Sequence, residues 1–294
     1  MIRSTLLHLR FPFSYFLLPV YLFALAISPN LGEQRLLWSF LIIHVLLYPA
    51  SNGYNSYFDK DEGAIGGLKN PPPVNKSLYY ASIGLDVLAV VLGAWFVSGW
   101  FAIMLFIYGM ISKAYSHPAI RLKKYPVAGW ITVSVFQGFF TFMMCYVGIN
   151  DFSPDQLIHA RVYVPAALST LMLLGTYPMT QVYQHEEDAA RGDQTISLRL
   201  GIRGTFLFVL LVFGIVTGAY LTYFHFYQTD HHGWAFMAAL SPVVIYFCIW
   251  FYQVYKNPAA ADYPRTMWLN FLSATCLNIF FLWLFLEISH IGQL

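Results

Sequence analysis

Charge is what this chain has least of: only 10% of its 294 residues are Asp, Glu, Lys or Arg, against about a quarter in a soluble domain. That shortage excludes an ordinary water-soluble fold. Cysteine is scarce too. Cys145, Cys248 and Cys276 lie far apart with no metal-like spacing, which excludes a disulfide scaffold and a thiolate metal centre; inside apolar segments they are expected to be buried and inert. There is no basic excess, the formal net charge being +2, so no nucleic-acid partner is expected. The zinc-protease helix pattern is missing as well. His185 opens "HEEDA", but Ala189 stands where a second histidine is needed.

What is present is apolar sequence, 58% of the chain. Runs near the roughly 20 residues that cross a bilayer recur along its whole length: 11–29, 37–58, 78–98, 100–116, 127–149, 163–186, 205–226, 234–255 and 267–288. The expected fold is therefore all-α and polytopic, with nine transmembrane helices. Nothing outside these runs is long enough for a soluble domain, so residues 1–294 are read as one integral-membrane domain. The first run has a basic start and an Ala-Leu-Ala triplet at 24–26, but its apolar stretch exceeds a signal core, and it is expected to be a retained helix.

Basic residues orient the spans. With the N-terminus placed in the cytoplasm, 14 of the 16 Lys and Arg fall on the inner side, and only Arg35 and Arg161 fall outside. This positive-inside bias supports an odd number of spans and a C-terminus on the opposite side. The expected location is a bacterial cytoplasmic membrane. The Asn-x-Ser pattern at 75–77 then faces inward, away from glycosylation.

Acid is distributed against that bias. Asp59, Asp61 and Glu62 follow the second run, while Glu186, Glu187, Asp188 and Asp193 follow the sixth, so half of the 14 acidic residues sit at two inner helix ends. On a helix Asn55, Asp59 and Glu62 share one face, and Gln184 and Asp188 repeat the four-residue spacing with Glu187 alongside. Two such oxygen-rich faces, one from each half, are suited to a hard cation such as Mg2+, which takes few carboxylates and completes its shell with water and phosphate oxygens. The alternative is that these acids only neutralise Lys60, Lys69, Arg191 and their neighbours at a solvated loop.

The pattern Asn55-x-x-x-Asp59, the segment closing in Asp188-Ala-Ala-Arg-Gly-Asp-Gln-Thr, and the basic "YSHPAIRLKKYP" loop at 115–126 resemble the UbiA superfamily of intramembrane prenyltransferases. The likeness in spans, orientation and motif positions extends over nearly the full chain. The resemblance implies nine helices around a central cavity, with two acidic motifs binding Mg2+ and the diphosphate of an isoprenyl donor. The implied reaction transfers the isoprenyl group to a lipophilic aromatic or quinone-precursor acceptor. Within that frame Asp59, Asp188, Arg121 and Lys123 are the expected catalytic residues. Asn55, Asp59, Asp61, Glu62, Glu187 and Asp188 are the expected metal ligands. Asn55, Tyr57, Lys69, Tyr115, Tyr177, Gln181, Gln184 and Arg191 are expected to contact substrate. The chain departs from the family pattern in three places: Gly63 replaces the last aspartate of the first motif, Gln184 the first aspartate of the second, and Tyr177 an aspartate often found one or two turns earlier. A transporter and a catalytically degenerate family member are the competing readings.

The chemistry needs charge neutralisation where a diphosphate departs and an electron-rich enclosure for an allylic cation. Aromatic residues make up 19% of the chain, and Tyr54, Tyr57, Phe58, Tyr177 and Tyr183 flank the motifs. Basic residues not on diphosphate are expected to anchor anionic membrane lipids. Three further expectations are structural: Asp86 is paired inside the bundle, Gly214 and Gly218 form a close helix contact, and Pro178 bends the sixth helix before its motif.

Overall fold

The computed structural model describes residues 2–152 and 154–289. Its helices are α1 (Ile2–Ala26), α2 (Glu33–Asp59), α3 (Lys76–Phe96), α4 (Gly99–Ser116), α5 (Pro126–Asn150), α6 (Ala160–Gln181), α7 (Ile196–Tyr227), α8 (Asp230–Lys256) and α9 (Tyr263–Ser289). Eight are long and apolar enough to cross a membrane; α4, with 18 residues, falls outside that set. At 1.5 Å per residue it still spans roughly 27 Å. Among the described residues the only β pairing is one bridge, Ile65 to Leu68. This is how a chain must fold in lipid, where every backbone N–H and C=O has to find its partner within the protein.

Each helix packs on the next, and α9 packs on α1, so the bundle closes on itself. Across the centre α1 meets α5. There Phe23 stacks on Phe281 of α9 at 4.4 Å between centroids and meets Phe142 edge-on at 5.4 Å. Phe23 and Phe281 also line the cavity that the bundle encloses.

Five helices are irregular: α1, α2, α5, α6, and α7, which is kinked at Gly201 (φ 71°) near its start. Arg10 adopts a left-handed backbone (φ 48°), and a 3-10 turn, Phe11–Phe16, follows it around Pro12. In α2 and α5, π-helical turns at Ile42–Leu47 and Val135–Phe140 each insert an extra residue, a device common at functional sites. The α5 turn is stabilised by Thr141, which donates to the Phe136 carbonyl, and by Thr170, which accepts from the Phe139 amide. At Pro178 α6 passes into a 3-10 segment, Tyr177–Gln181.

Asp86 is paired inside the bundle, with Lys113 across α3 and α4. The glycine expectation is overturned. A Cβ at Gly214 or Gly218 would meet nothing within 4 Å, whereas one at Gly138 would lie 2.6 Å from the Thr170 backbone, so the close approach joins α5 to α6. Only Cys145 is buried; Cys248 is exposed and Cys276 half-buried, because a bilayer, unlike water, lets α8 present apolar side chains outward.

Candidate functional site

A cavity of about 380 Å³ opens between the helices. Its inner wall is apolar, with Phe16, Phe23, Phe136, Tyr220, Phe247 and Phe281 among its residues, and its mouth is lined by Asn55, Asp59, Asp61, Lys123, Asp188, Arg191 and Asp193. The two acid-rich segments, about 130 residues apart in sequence, therefore share one opening.

Asp59 is the last residue of α2, where Lys60 turns left-handed (φ 53°) and stops the helix. One turn earlier, Asn55 accepts a hydrogen bond from Ser116 at 2.7 Å, which fixes its amide at the end of α4. After α6 the chain makes a short helix, His185–Arg191, with Gln184 as its N-cap, and Gly192 (φ 75°) ends it. Asp188 thus sits on a separate turn that faces the end of α2.

Cations bind these carboxylates together. Lys123 pairs with Asp59 and lies 4.0 Å from Asp193. Arg191 pairs with Asp61, reaches Asp188 at 3.0 Å, and lies 3.8 Å from both Glu187 and Asp193. Arg121 grips Asp193 with two 2.9 Å hydrogen bonds. Burial pushes the Asp188 carboxyl up to about 6; Arg191 opposes this but is shared among several acids. Burial also pushes Asp193 up, yet the hydrogen bonds from Arg121 and the charges of Lys123, Arg121 and Arg191 outweigh it and hold it below the usual carboxylate range. Arg121 is raised first by its hydrogen bond to Asp193. Burial works against the Arg191 guanidinium, but Asp61, Asp59 and Asp188 raise it on balance.

The two departures around the acids belong to one feature. The Glu187 carboxylate accepts from the backbone N–H of Glu62 at 3.0 Å and of Gly63 at 3.4 Å. A Cβ on residue 63 would lie 2.7 Å from Glu187 Oε2, so glutamate occupies the space beside the glycine. Gln184 donates to the Ala64 carbonyl at 3.1 Å, a bond an aspartate carboxylate cannot make. Together they clasp the strap after α2 to the short helix before α7. The strap is held from the other side by Phe13, which packs over Gly66 and Gly67.

Several expected residues lie elsewhere. Glu62 is exposed, because the left-handed Lys60 ends α2 before a third residue can join the Asn55 and Asp59 face. Lys69 is also exposed and off the cavity wall. Tyr57 packs between Phe58 and Tyr79 rather than facing the cavity. Arg121 stands behind Asp193, not on the wall. Tyr115 and Tyr177 do line the cavity and are hydrogen-bonded to each other; Gln181 and Gln184 line it too. Sequence reading missed Asp193 as the hub of three cations and Arg10 as a wall residue. The signal for Arg10 was Pro12, two residues on, which breaks the regular helix and turns the arginine inward.

Among the described residues no three His, Cys, Asp or Glu side chains converge on one point to hold a metal alone. The donors are nonetheless all hard oxygens on one mouth, the set that suits an ion completing its shell with water and substrate oxygens. They fit magnesium in that sense.

Several solved structures resemble the chain over nearly its whole length. A UbiA homolog from Archaeoglobus fulgidus bound to GPP and Mg2+ is 17% identical, with a TM-score of 0.68 and coverage of 98% of this chain and 100% of that one. The apo structure of a UbiA homolog from Aeropyrum pernix K1 is 14% identical, with a TM-score of 0.67 and coverage of 96% and 98%. A digeranylgeranylglyceryl phosphate synthase structure is 16% identical, with a TM-score of 0.63 and coverage of 97% and 99%. At these identities the likeness shows the fold. Among curated proteins none matches. The model of the UbiA prenyltransferase family matches residues 16–285, nearly all of the chain, and this integral membrane protein belongs to that family.

Proposed function

We propose that the protein transfers an isoprenyl group, within the membrane, from a prenyl diphosphate to a lipophilic aromatic or quinone-precursor acceptor. One observation carries this reading: acid-rich segments from opposite halves of the chain meet at the mouth of a single aromatic-lined cavity. The proteins of like fold bound to GPP or DMAPP with Mg2+ support the donor class. Asn55, Asp59, Asp61 and Asp188 are the residues that would hold Mg2+; Glu187, expected among them, lies off the cavity wall, its carboxylate taken by the Glu62 and Gly63 amides. When bound it would supply neutralisation of the charge that develops on the diphosphate.

The chain's own residues do the rest. Lys123 and Arg191 line the mouth beside those acids, placed to share their positive charge with a departing diphosphate in a site of low dielectric. Arg121 holds Asp193 and so positions both cations. Below them the aromatic wall excludes water, and its ring faces attract the positive charge left on the allylic carbon. The strap over the mouth limits escape of that carbon to solvent. The positive-inside bias supports a mouth on the cytoplasmic side with the N-terminus.

The test is incubation of the purified protein with Mg2+, isotopically labelled dimethylallyl, geranyl or longer prenyl diphosphates, and a panel of aromatic acids, phenols and quinone precursors. A prenylated product from at least one pair is expected. No product and no diphosphate release from any pair would count against the reading.

A further inference from the structure

The first turns of α1, Ile2–Leu9, are the wrong way round for water. Thr5 and His8 are buried, while Ile2, Leu6 and Leu7 are 78%, 54% and 40% exposed. The inward face is polar because it has partners. Ser4 donates to the Pro73 carbonyl at 2.8 Å, His8 Nε2 donates to the Pro72 carbonyl at 2.7 Å, and the Thr5 and Ser77 hydroxyls are bonded at 2.7 Å. A helix at a water-facing surface buries its apolar stripe and solvates the other side; this one presents apolar side chains outward, as lipid requires. The same bonds set its depth. Ser77 belongs to the first turn of α3, which Asn75 caps, and Tyr80, one turn on, points outward, as tyrosines at a headgroup boundary do. Ile2–Leu9 therefore stands where α3 meets the headgroups, at the mouth end of the bundle.

Positive charge gathers at this corner without acid. Arg3, Lys69 and Lys76 are exposed, and none of the ion pairs among the described residues involves them. Segments 2–10 and 69–80 contain no Asp or Glu. Of the nearest acids in sequence, Asp61 is paired with Arg191 and Asp86 with Lys113, and the Glu62 backbone is held on Glu187. All three cations stand close to a bond that joins the two segments: Arg3 is next to Ser4, Lys76 is next to Ser77, and Lys69 lies just before Pro72. Unpaired cations beside an outward apolar face match the two ends of an anionic phospholipid. Arginine brings a fork for phosphate oxygens and lysine a point charge. A soluble phosphate would use the cations and leave Ile2, Leu6 and Leu7 uncovered.

We propose that Arg3, Lys69 and Lys76 hold the headgroup of an anionic phospholipid whose upper acyl carbons pack on Ile2, Leu6 and Leu7. The site lies outside the cavity and does not depend on the prenyl-transfer reading. Its occupant bridges the start of α1 and the segment that continues the strap over the mouth.

The test places the full chain in phosphatidylcholine nanodiscs that carry a trace of photoreactive phosphatidylglycerol or, separately, photoreactive phosphatidylcholine. Crosslinked peptides are mapped by mass spectrometry. Labelling of residues 2–9 and 69–80 is expected to favour phosphatidylglycerol. Arg3→Gln is expected to lower that preference roughly fivefold, the contribution of one cation near an anionic headgroup. Arg3→Lys should retain most of it, and Arg3→Gln combined with Lys69→Gln and Lys76→Gln should abolish it, with melting temperature as the folding control. Equal labelling by the two lipids would overturn the proposal, as would a preference that the folded Gln variants leave unchanged. Labelling that inorganic phosphate suppresses, where sodium chloride of the same ionic strength does not, would overturn it by showing a site for a free anion.

Discussion

Replacing Gly63 with aspartate tests whether Glu187 fills the space beside that glycine. The backbone at Gly63 is not left-handed, so conformation alone does not forbid a side chain. Glu187 does: an added Cβ would lie 2.7 Å from its Oε2, and the carboxylate would have to leave its two amide donors. Those amides are exposed and can be rehydrated, so their loss costs about 1 kcal/mol. Two carboxylates about 4 Å apart repel by about 4 kcal/mol at an effective dielectric of 20 and about 1 in water. The Glu187 side chain is 25% exposed, which favours the lower part of that range. Gly63→Asp is therefore expected to destabilise the protein by roughly 1–3 kcal/mol. Glu187→Ala removes both the clash and the repulsion, so Gly63→Asp in that background is expected to cost much less. The assay is a double-mutant cycle on equilibrium unfolding in mixed micelles, with a coupling energy of about 1–2 kcal/mol expected. Effects that add within about 0.5 kcal/mol would refute the contact.

Gln184→Asp removes the donor to the Ala64 carbonyl. Backbone hydrogen exchange over residues 62–68 is expected to rise by a factor of several, and unchanged exchange would show that the strap does not depend on this bond. Asp193 has a folded-state pKa below its unfolded value, so its stabilisation is present above about pH 4 and is lost as pH falls through the folded value. Asp193→Asn is accordingly expected to melt well below wild type at pH 7, with the gap closing under about pH 4; a gap independent of pH would contradict the depressed carboxyl.

The spans were legible because bilayer thickness writes itself into run length, and the helices fall where the nine apolar runs do. Asn55 with Asp59 was legible for a similar reason, since a four-residue spacing on one helix fixes a shared face. Glu62 was not. Its placement depends on Lys60 turning left-handed, and no spacing rule marks lysine as a helix stop. The clasp between Gln184 or Glu187 and the strap joins residues 120 or more apart, a pairing set by how α2 and α6 end against each other rather than by any local pattern. Arg10 entered only the positive-inside count, because charge beside a first span marks its inner end without saying where the side chain lies. Gly214 and Gly218 failed for the opposite reason: small-residue spacing permits close packing without saying which face of α7 meets a neighbour.

The account rests on Asp59 and Asp188 acting on a metal-bound diphosphate from opposite halves of the cavity mouth. Asp→Asn keeps the size of each side chain and removes the charge. The most direct measurement is Mg2+-dependent prenyl transfer by purified Asp59→Asn and Asp188→Asn, using a donor and acceptor that wild type turns over, with folded protein verified by melting. Near-complete loss of transfer in each variant is predicted. Normal turnover in both would contradict the mechanism and leave these acids as counter-charges to Lys123 and Arg191.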